Sequence, residues 1–538
     1  MPEAPPSPAR ATGARALLAA LALALLVAAV AHVRGAGEHP NNQDRELDLL
    51  LARRIATQGI LTDGARSPLF PLLLAPFQGG DPGFPQRARW VALALGGLAF
   101  GGVFLLLRSV LPERVAVVAT LLAGPEWTFE VSRVRPEPLV AFALVALATA
   151  LARATTSPRP LRLVAVAGVA AGLAHLGKGS GPLTVVAAVL FLVATRRARA
   201  LPAVAVFVGA FLVAASPLLV ATARAFGSPF HNANTAHVMW EAAGEDQQWR
   251  WSTATPATWW AAHGLSGTVA RLLDGAARVT HGPLLYALLA AAAAGIAIRR
   301  RGPRGPVAAV PGPTPTTAFV GVAVATALVW GPAFAWYVPI ANGRRYLFPV
   351  AALALPALVA PHHAFVAARA PALAARADRV AAAGRRAAGH VAAVAAAALA
   401  LVAVEVREAA HPPAVGPRVP FDRATLDTAA RLRALPEGTR ILAGPAATVP
   451  SPWLVSATRD YVHLPPGLAP ADAERFVRAH ADVVLLSENL TTRRAATFGP
   501  WARRRPDGAF EPADLPPWAR LVPGTPAAGP HLLFAVEP

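Results

Sequence analysis

The chain has no cysteine, two methionines and four tyrosines, and only 15% of its 538 residues are charged. Without cysteine there are no disulfides and no thiolate metal sites, and the redox compartment cannot be read from thiol usage. A soluble chain of this length would be about a quarter charged. In place of that charge stand long runs of Ala, Val and Leu: 55% of residues are hydrophobic and the mean hydropathy is +0.44. Such runs mark a polytopic membrane protein. The 50 basic residues against 30 acidic, net +20, would suit nucleic acid if they clustered on one soluble face. They do not.

A helix needs about 20 apolar residues to cross the hydrocarbon core. Runs at 16–33, 88–107, 115–130, 137–152, 161–177, 181–195, 200–222, 282–298, 317–337, 346–366 and 389–405 give about eleven spans. The first follows Arg10 and Arg15, is long and lacks a clean small-residue cleavage site, so it reads as a retained span rather than a signal peptide. With the N-terminus inside, the cytoplasmic pieces are 1–15, 108–114, 153–162, 196–199, 299–304 and 367–388. They hold 19 Arg against Glu3, Glu113 and Asp378. The positive-inside rule therefore orients the chain, and the basic balance implies membrane lipids and no nucleic acid as partners.

Three large hydrophilic pieces then fall outside: 34–87, 223–281 and 406–538. The expected architecture is an all-α membrane module over 1–405 followed by a small extracytoplasmic α/β domain over 406–538. In the latter TRILAGP, RDYVHLP, ADVVLLSE and HLLFAVEP read as short strands, with amphipathic helices near 421–434 and 470–480. Pro412, Pro413, Pro417 and Pro420 mark the linker. The middle piece holds Trp240, Trp249, Trp251, Trp259 and Trp260, and reads as lying along the membrane surface.

The first outer loop is crowded with charge. Asp44, Glu46 and Asp48 open a helical run in which Asp44 and Asp48 share a face at i, i+4; Gly59 ends it. Positive charge on this side is the exception to the rule just applied, so each case asks for a reason. Arg66 closes the first loop. Arg133, Arg135 and Glu137 stand between two spans, Lys178 sits in the tight turn HLGKGSGP, and Arg344 with Arg345 fills the turn YVPIANGRRYLFP. A cation at a helix end is commonly a snorkelling anchor. Several outer turns converging on one bilayer face, opposite acids, instead suit an anionic phosphate at headgroup level. If that phosphate carries a sugar, it departs as a stable anion and needs no general acid. The reaction then requires positive charge around the phosphate and one carboxylate to take the acceptor hydroxyl's proton. Glycoside hydrolysis, by contrast, requires two matched carboxyls.

These residues resemble the GT-C glycosyltransferases of the dolichyl-phosphate-mannose protein mannosyltransferase type (family 39), including bacterial aminoarabinose transferases. The matching pieces are the acidic loop followed by A-R-x-I-x-x-x-G at Ala52–Gly59 and R-S-P-L-F-P-L-L-L at Arg66–Leu74. R-P-E-P-L at Arg135–Leu139 and the K-G turn at Lys178–Gly179 come next. F-G-S-P-F-H-N-A-N at Phe226–Asn234 and G-R-R-Y-L-F-P at Gly343–Pro349 complete the series. The resemblance implies an inverting transferase in the bacterial inner membrane that takes its sugar from a polyprenyl-phosphate donor on the outer face. It also implies Asp44 as the base. The family's adjacent Asp-Glu is here interrupted by Arg45, so Glu46 is the reserve candidate. Lys178, Arg344, Arg345 and Arg66 are expected on the donor phosphate, and Arg135 and Glu137 as supports behind them, Glu137 being suited to a helix start.

No compact His/Asp cluster at ligand spacing is present; His231, His237 and His281 read as polar loop residues, and the resemblance leaves a divalent cation open. The acceptor, whether protein, lipid or glycan, is not legible. A transporter or lipid flippase, or a catalytically silent envelope scaffold, are the alternatives; a transporter would place its ionisable groups near the bilayer midplane.

Overall fold

The computed structural model describes residues 8–34, 43–64, 66–81, 83–232, 256–280, 314–337, 347–369, 423–444, 455, 460–462, 464 and 468–537. Side chains of 43–46 and 361–369 fall outside that description, as do the expected spans at 282–298 and 389–405 and the linker prolines. The other nine expected spans each coincide with a helix. They are α1 (Pro8–Arg34), then, after the loop helices α2 (Gln43–Gln58) and α3 (Leu69–Leu74), α4 (Phe84–Arg108), α5 (Glu113–Ser132), α6 (Glu137–Ala154), α7 (Pro160–Gly177), α8 (Gly181–Arg196) and α9 (Ala200–Phe226). A loop helix α10 (Pro256–Thr280) precedes α11 (Pro315–Tyr337) and α12 (Phe348–Arg369). Among the described residues six helices are long and apolar enough to cross a membrane, and Gly181–Arg196 and Phe348–Ala360 are shorter apolar ones. The protein is a multi-pass membrane protein.

Lipid tails are as apolar as leucine, so spans associate by close packing rather than by the hydrophobic effect. Small residues do this here. Gly97 and Gly101, one turn apart on α4, let α1 approach until a Cβ on Gly97 would stand 2.6 Å from the Ala24 carbonyl oxygen. Gly168 and Gly172 likewise seat α7 against Phe207, Ala210 and Ala214 of α9. Trp127 is wholly buried; its indole N–H donates to the Gly96 carbonyl at 2.9 Å and its ring meets Phe348 edge-on at 5.2 Å, joining α4, α5 and α12. A methyl at Gly101 therefore has nowhere to go, whereas Gly209 on α9 has nothing within 4 Å of its would-be Cβ. Gly101→Ala is expected to lower stability by about 1–3 kcal/mol through overpacking. Gly209→Ala should leave it unchanged or raise it by up to about 1 kcal/mol through helix propensity. Denaturant or thermal unfolding of the two variants in one detergent checks the opposite signs.

The C-terminal region is a separate layer. Helix α13 (Arg423–Ala434) leads to β1 (Arg440–Leu442) and β2 (Asp460–Val462). Then come α14 (Pro470–His480), β3 (Val483–Leu486) and the short helices α15 (Glu488–Arg493) and α16 (Ala495–Phe498). The hairpin of β4 (Ala502–Arg504) and β5 (Phe510–Pro512), then β6 (Ala519–Leu521) and β7 (Leu532–Val536), finish the chain. The main sheet runs β2-β1-β3-β7-β6, with β1 parallel to β2 and β3, and β7 antiparallel to both of its neighbours. The four strands read from sequence are β1, β2, β3 and β7. The β4–β5 hairpin and β6 are additional to them.

β3 is apolar throughout because both faces of the sheet are covered, as parallel strands require. Val484 and Leu486 face α14 and a cluster around Phe498, Trp501 and Phe534. Val483 and Leu485, with Ile441 and Leu533, face α13, and that same apolar cluster includes Leu49, Leu50 and Ala52 of α2 and Phe70 and Leu74 of α3. The sheet thus closes directly over the first loop.

Candidate active site

Helix α2 is apolar on the side that meets the sheet and carries Asp48 at 3% exposure. It ends where Gly59 adopts φ +68°, its N–H donating to the Ile55 carbonyl at 3.1 Å. That is the left-handed glycine stop read from the sequence. The following T-D-G-A-R turn is fastened by Asp63, whose carboxylate accepts from the Arg66 backbone N–H at 2.7 Å. Arg66 and Asp63 lie within electrostatic reach of Asp48, and so do Glu137 and Lys178 from the membrane bundle.

These last two form a pair at the shared end of α6, α7 and α8: Lys178 Nζ donates to Glu137 Oε1 at 2.7 Å, with side-chain exposures of 18% and 4%. Glu137 opens α6 behind Pro136, and Lys178 is the extended residue that stops α7. Beside them Arg135 Nη1 donates to Glu130 Oε2 at 3.1 Å, and Glu130 is wholly buried at the end of α5. The turn between is tight enough that Val134, fully buried, is held at φ +56°.

Other segments converge on the same turn. A Cβ on Gly177 would meet Val140 and stand 3.8 Å from the Leu69 side chain of α3, and one on Gly179 would meet Asn232, just beyond α9. The Lys178–Gly179, Arg66–Leu74, Arg135–Leu139 and Phe226–Asn232 pieces singled out in the sequence are therefore neighbours. His231 stacks on Phe226 at 4.4 Å. The basic turns 108–114, 153–162 and 196–199 lie at the opposite helix ends.

Of the anticipated residues, Lys178, Arg66, Arg135 and Glu137 come together. Asp44 and Glu46 are on α2, one turn or less before Asp48, but their side chains lie outside the described residues, as do Arg344 and Arg345 entirely. The expectation of cations awaiting an anion needs refinement: the charges form a mixed cluster, each cation with an acid nearby. Glu137 does more than favour a helix start, since it is the counter-ion of Lys178. Three acids were not assigned a role from sequence. Asp48 had its signal in the i, i+4 spacing from Asp44. Glu130 had one as a carboxylate closing a span that holds only one other charge, Glu126, and Asp63 as the Asx residue of a turn. Among the described residues no three His, Cys, Asp or Glu side chains gather as a metal-ligand set.

Asp48 is pushed up from 3.8 to about 7. Burial is the largest cause; Glu137 and Asp63 add to it, while Arg66 and Lys178 oppose it. A carboxyl whose pKa is raised on folding adds stability below its unfolded pKa and loses that contribution as pH rises through the folded value. Between about pH 4 and pH 7 the protein is therefore expected to lose up to about 1.4 kcal/mol per pH unit from this group. Asp48→Asn should flatten that slope, and unfolding midpoints of both proteins from pH 4.5 to 8 would show it. Equal slopes would mean that Asp48 is ionised throughout.

The stretch holding Glu130, Arg135, Glu137 and Lys178 is also where a known family is matched. Over residues 85–221, from α4 through most of α9, the chain matches the dolichyl-phosphate-mannose-protein mannosyltransferase family. The likeness to GT-C glycosyltransferases of the family-39 type, drawn from the motifs, is thereby shown for this part of the chain. Among curated proteins none matches in sequence. Among solved structures, ArnT from Cupriavidus metallidurans bound to undecaprenyl phosphate is 14% identical with a TM-score of 0.49, covering 98% of each chain. The oligosaccharyltransferase of Archaeoglobus fulgidus in complex with Zn and sulfate is 14% identical with a TM-score of 0.43, covering 92% of this chain and 73% of that one.

Proposed function

We propose that this protein is a membrane glycosyltransferase of the kind its 85–221 stretch resembles. It moves a sugar from a polyprenyl-phosphate donor to an acceptor, with inversion, on the extracytoplasmic face of a bacterial inner membrane. The observation that carries the reading is the buried ionic cluster joining Lys178 and Glu137 to Asp48 and Arg66. It lies inside or against the family-matched stretch and at one end of the spans. The Asp, Glu, Lys and Arg residues of the described spans stand within about two turns of a helix end. That disposition suits interfacial chemistry better than a midplane transport site.

In this reading the acceptor hydroxyl attacks the anomeric carbon from the face opposite the phosphate. Asp44, with Glu46 in reserve, takes the hydroxyl proton as the new C–O bond forms. The bond from the anomeric carbon to the phosphate oxygen breaks, and its electron pair stays on the phosphate. Lys178, Arg66 and the Arg344–Arg345 turn hold that anion where its charge grows, the step at which preorganised charge lowers the barrier most. The C-terminal sheet, closed over α2, excludes water from that step. This charge balance closes without a divalent cation.

The test is turnover by protein in lipid nanodiscs, given undecaprenyl phosphate carrying radiolabelled mannose, glucose or aminoarabinose and a membrane extract as acceptor. Release of bare undecaprenyl phosphate, with label inverted at the anomeric centre, is expected for one of these donors. Absence of both turnover and binding with all three donors would overturn the proposal.

A further inference from the structure

The four ion-paired residues are not fully satisfied by one another. Glu130 gives one oxygen to Arg135, and Glu137 gives one to Lys178. Glu130 Oε1 and Glu137 Oε2 are buried with no hydrogen-bond partner among the described residues. Glu130 and Glu137 as whole residues are 0% and 3% exposed, and the two carboxylates lie within electrostatic reach of each other. Buried carboxylate oxygens left without donors cost a few kcal/mol each and are rare in native folds. The backbone that places them is itself strained. Val134 is β-branched and wholly buried at φ +56°, a conformation that persists only where the surroundings dictate it. That strain turns the chain so that Arg135 folds back onto Glu130 while Glu137 starts α6.

We propose that Glu130 and Glu137 together read the donor's sugar, their open oxygens accepting hydrogen bonds from two of its ring hydroxyls. The assignment rests on the glycosyltransferase reading and sharpens it. A carboxylate oxygen already flanked by a Lys or Arg on its twin has no use for a metal ion, whose charge those cations would repel. What it takes is a neutral O–H donor. A pyranose presents several of these on a rigid ring. The phosphate of the same lipid belongs with Lys178 and Arg66 a short distance away, so one donor spans both parts of the cluster.

The experiment compares binding of bare undecaprenyl phosphate with that of the sugar-linked lipid the protein turns over, and with its single deoxy analogues. The intact protein is expected to hold the sugar-linked lipid at least about tenfold more tightly than the bare lipid, and to lose about that factor for two of the deoxy forms. Glu130→Gln and Glu137→Gln, which replace an acceptor by an N–H donor, should each erase the discrimination at one hydroxyl, read as the affinity ratio between the sugar-linked lipid and its deoxy form.

Equal affinity for bare and sugar-linked lipids, or tolerance of every deoxy form, overturns the sugar-reading role while leaving the transferase reading intact. Retained discrimination in both variants does the same. Failure to bind either lipid overturns both proposals. Glu130→Gln leaves Arg135 buried without its partner, so if that variant does not fold, the deoxy series on the unaltered protein decides the matter.

Discussion

Lys178→Ala is expected to lose donor binding and fold stability together, and the double variant Lys178→Ala/Glu137→Gln to recover only the second. Removing one member of a buried ion pair leaves the other charge stranded, at a cost of about 3–5 kcal/mol. Glu137 is that other charge, with a side-chain exposure of 4%. Replacing it with neutral Gln removes the stranded charge, so the unfolding midpoint should return most of the way. The lipid phosphate then still lacks a charge-assisted donor worth about 1.5–3 kcal/mol, so affinity for bare undecaprenyl phosphate should stay roughly 10- to 100-fold down. A double variant that binds the lipid as well as the unaltered protein would show that Lys178 serves the fold and not the phosphate.

Asp44→Asn carries the largest expected effect on the chemical step. General-base catalysis is worth about 10²- to 10⁴-fold, and the isosteric amide cannot accept a proton from the acceptor hydroxyl. The turnover number should fall by that factor while the affinity for the donor lipid, held by cations elsewhere, barely changes. Glu46→Gln is expected to act weakly if Asp44 is the base and as strongly if the roles are exchanged. Should both variants turn over normally, the role passes to Asp48, one turn along the same helix face and already poised near neutral pH. A loss of affinity without loss of turnover would instead place Asp44 among the donor-positioning groups.

Much of this architecture is legible because the bilayer imposes simple demands. A span must be long, apolar and self-satisfied in its hydrogen bonds, so nine of the expected spans recur as helices at nearly the expected bounds. The glycine that ends α2 and four strands of the C-terminal region are equally visible, each set by a local rule. β4, β5 and β6 are not, because ARR, FEP and ARL are broken by charge or proline and show no apolar pattern. Glu130 was read as the tail of a span and Glu137 as a favourable helix start. Neither spacing nor composition says that the first holds Arg135 and the second holds Lys178, 41 residues away.

The sequence by itself determined that this chain crosses a membrane many times, that its basic loops alternate along the chain, and that its informative charges belong to one end of the spans. Only the tertiary structure decided which charge answers which, and that the C-terminal sheet packs on α2. The reason is physical. Hydropathy and helix stops act over a few residues and are written in them, whereas an ion pair between turns dozens of residues apart exists only once close helix packing has brought those turns together.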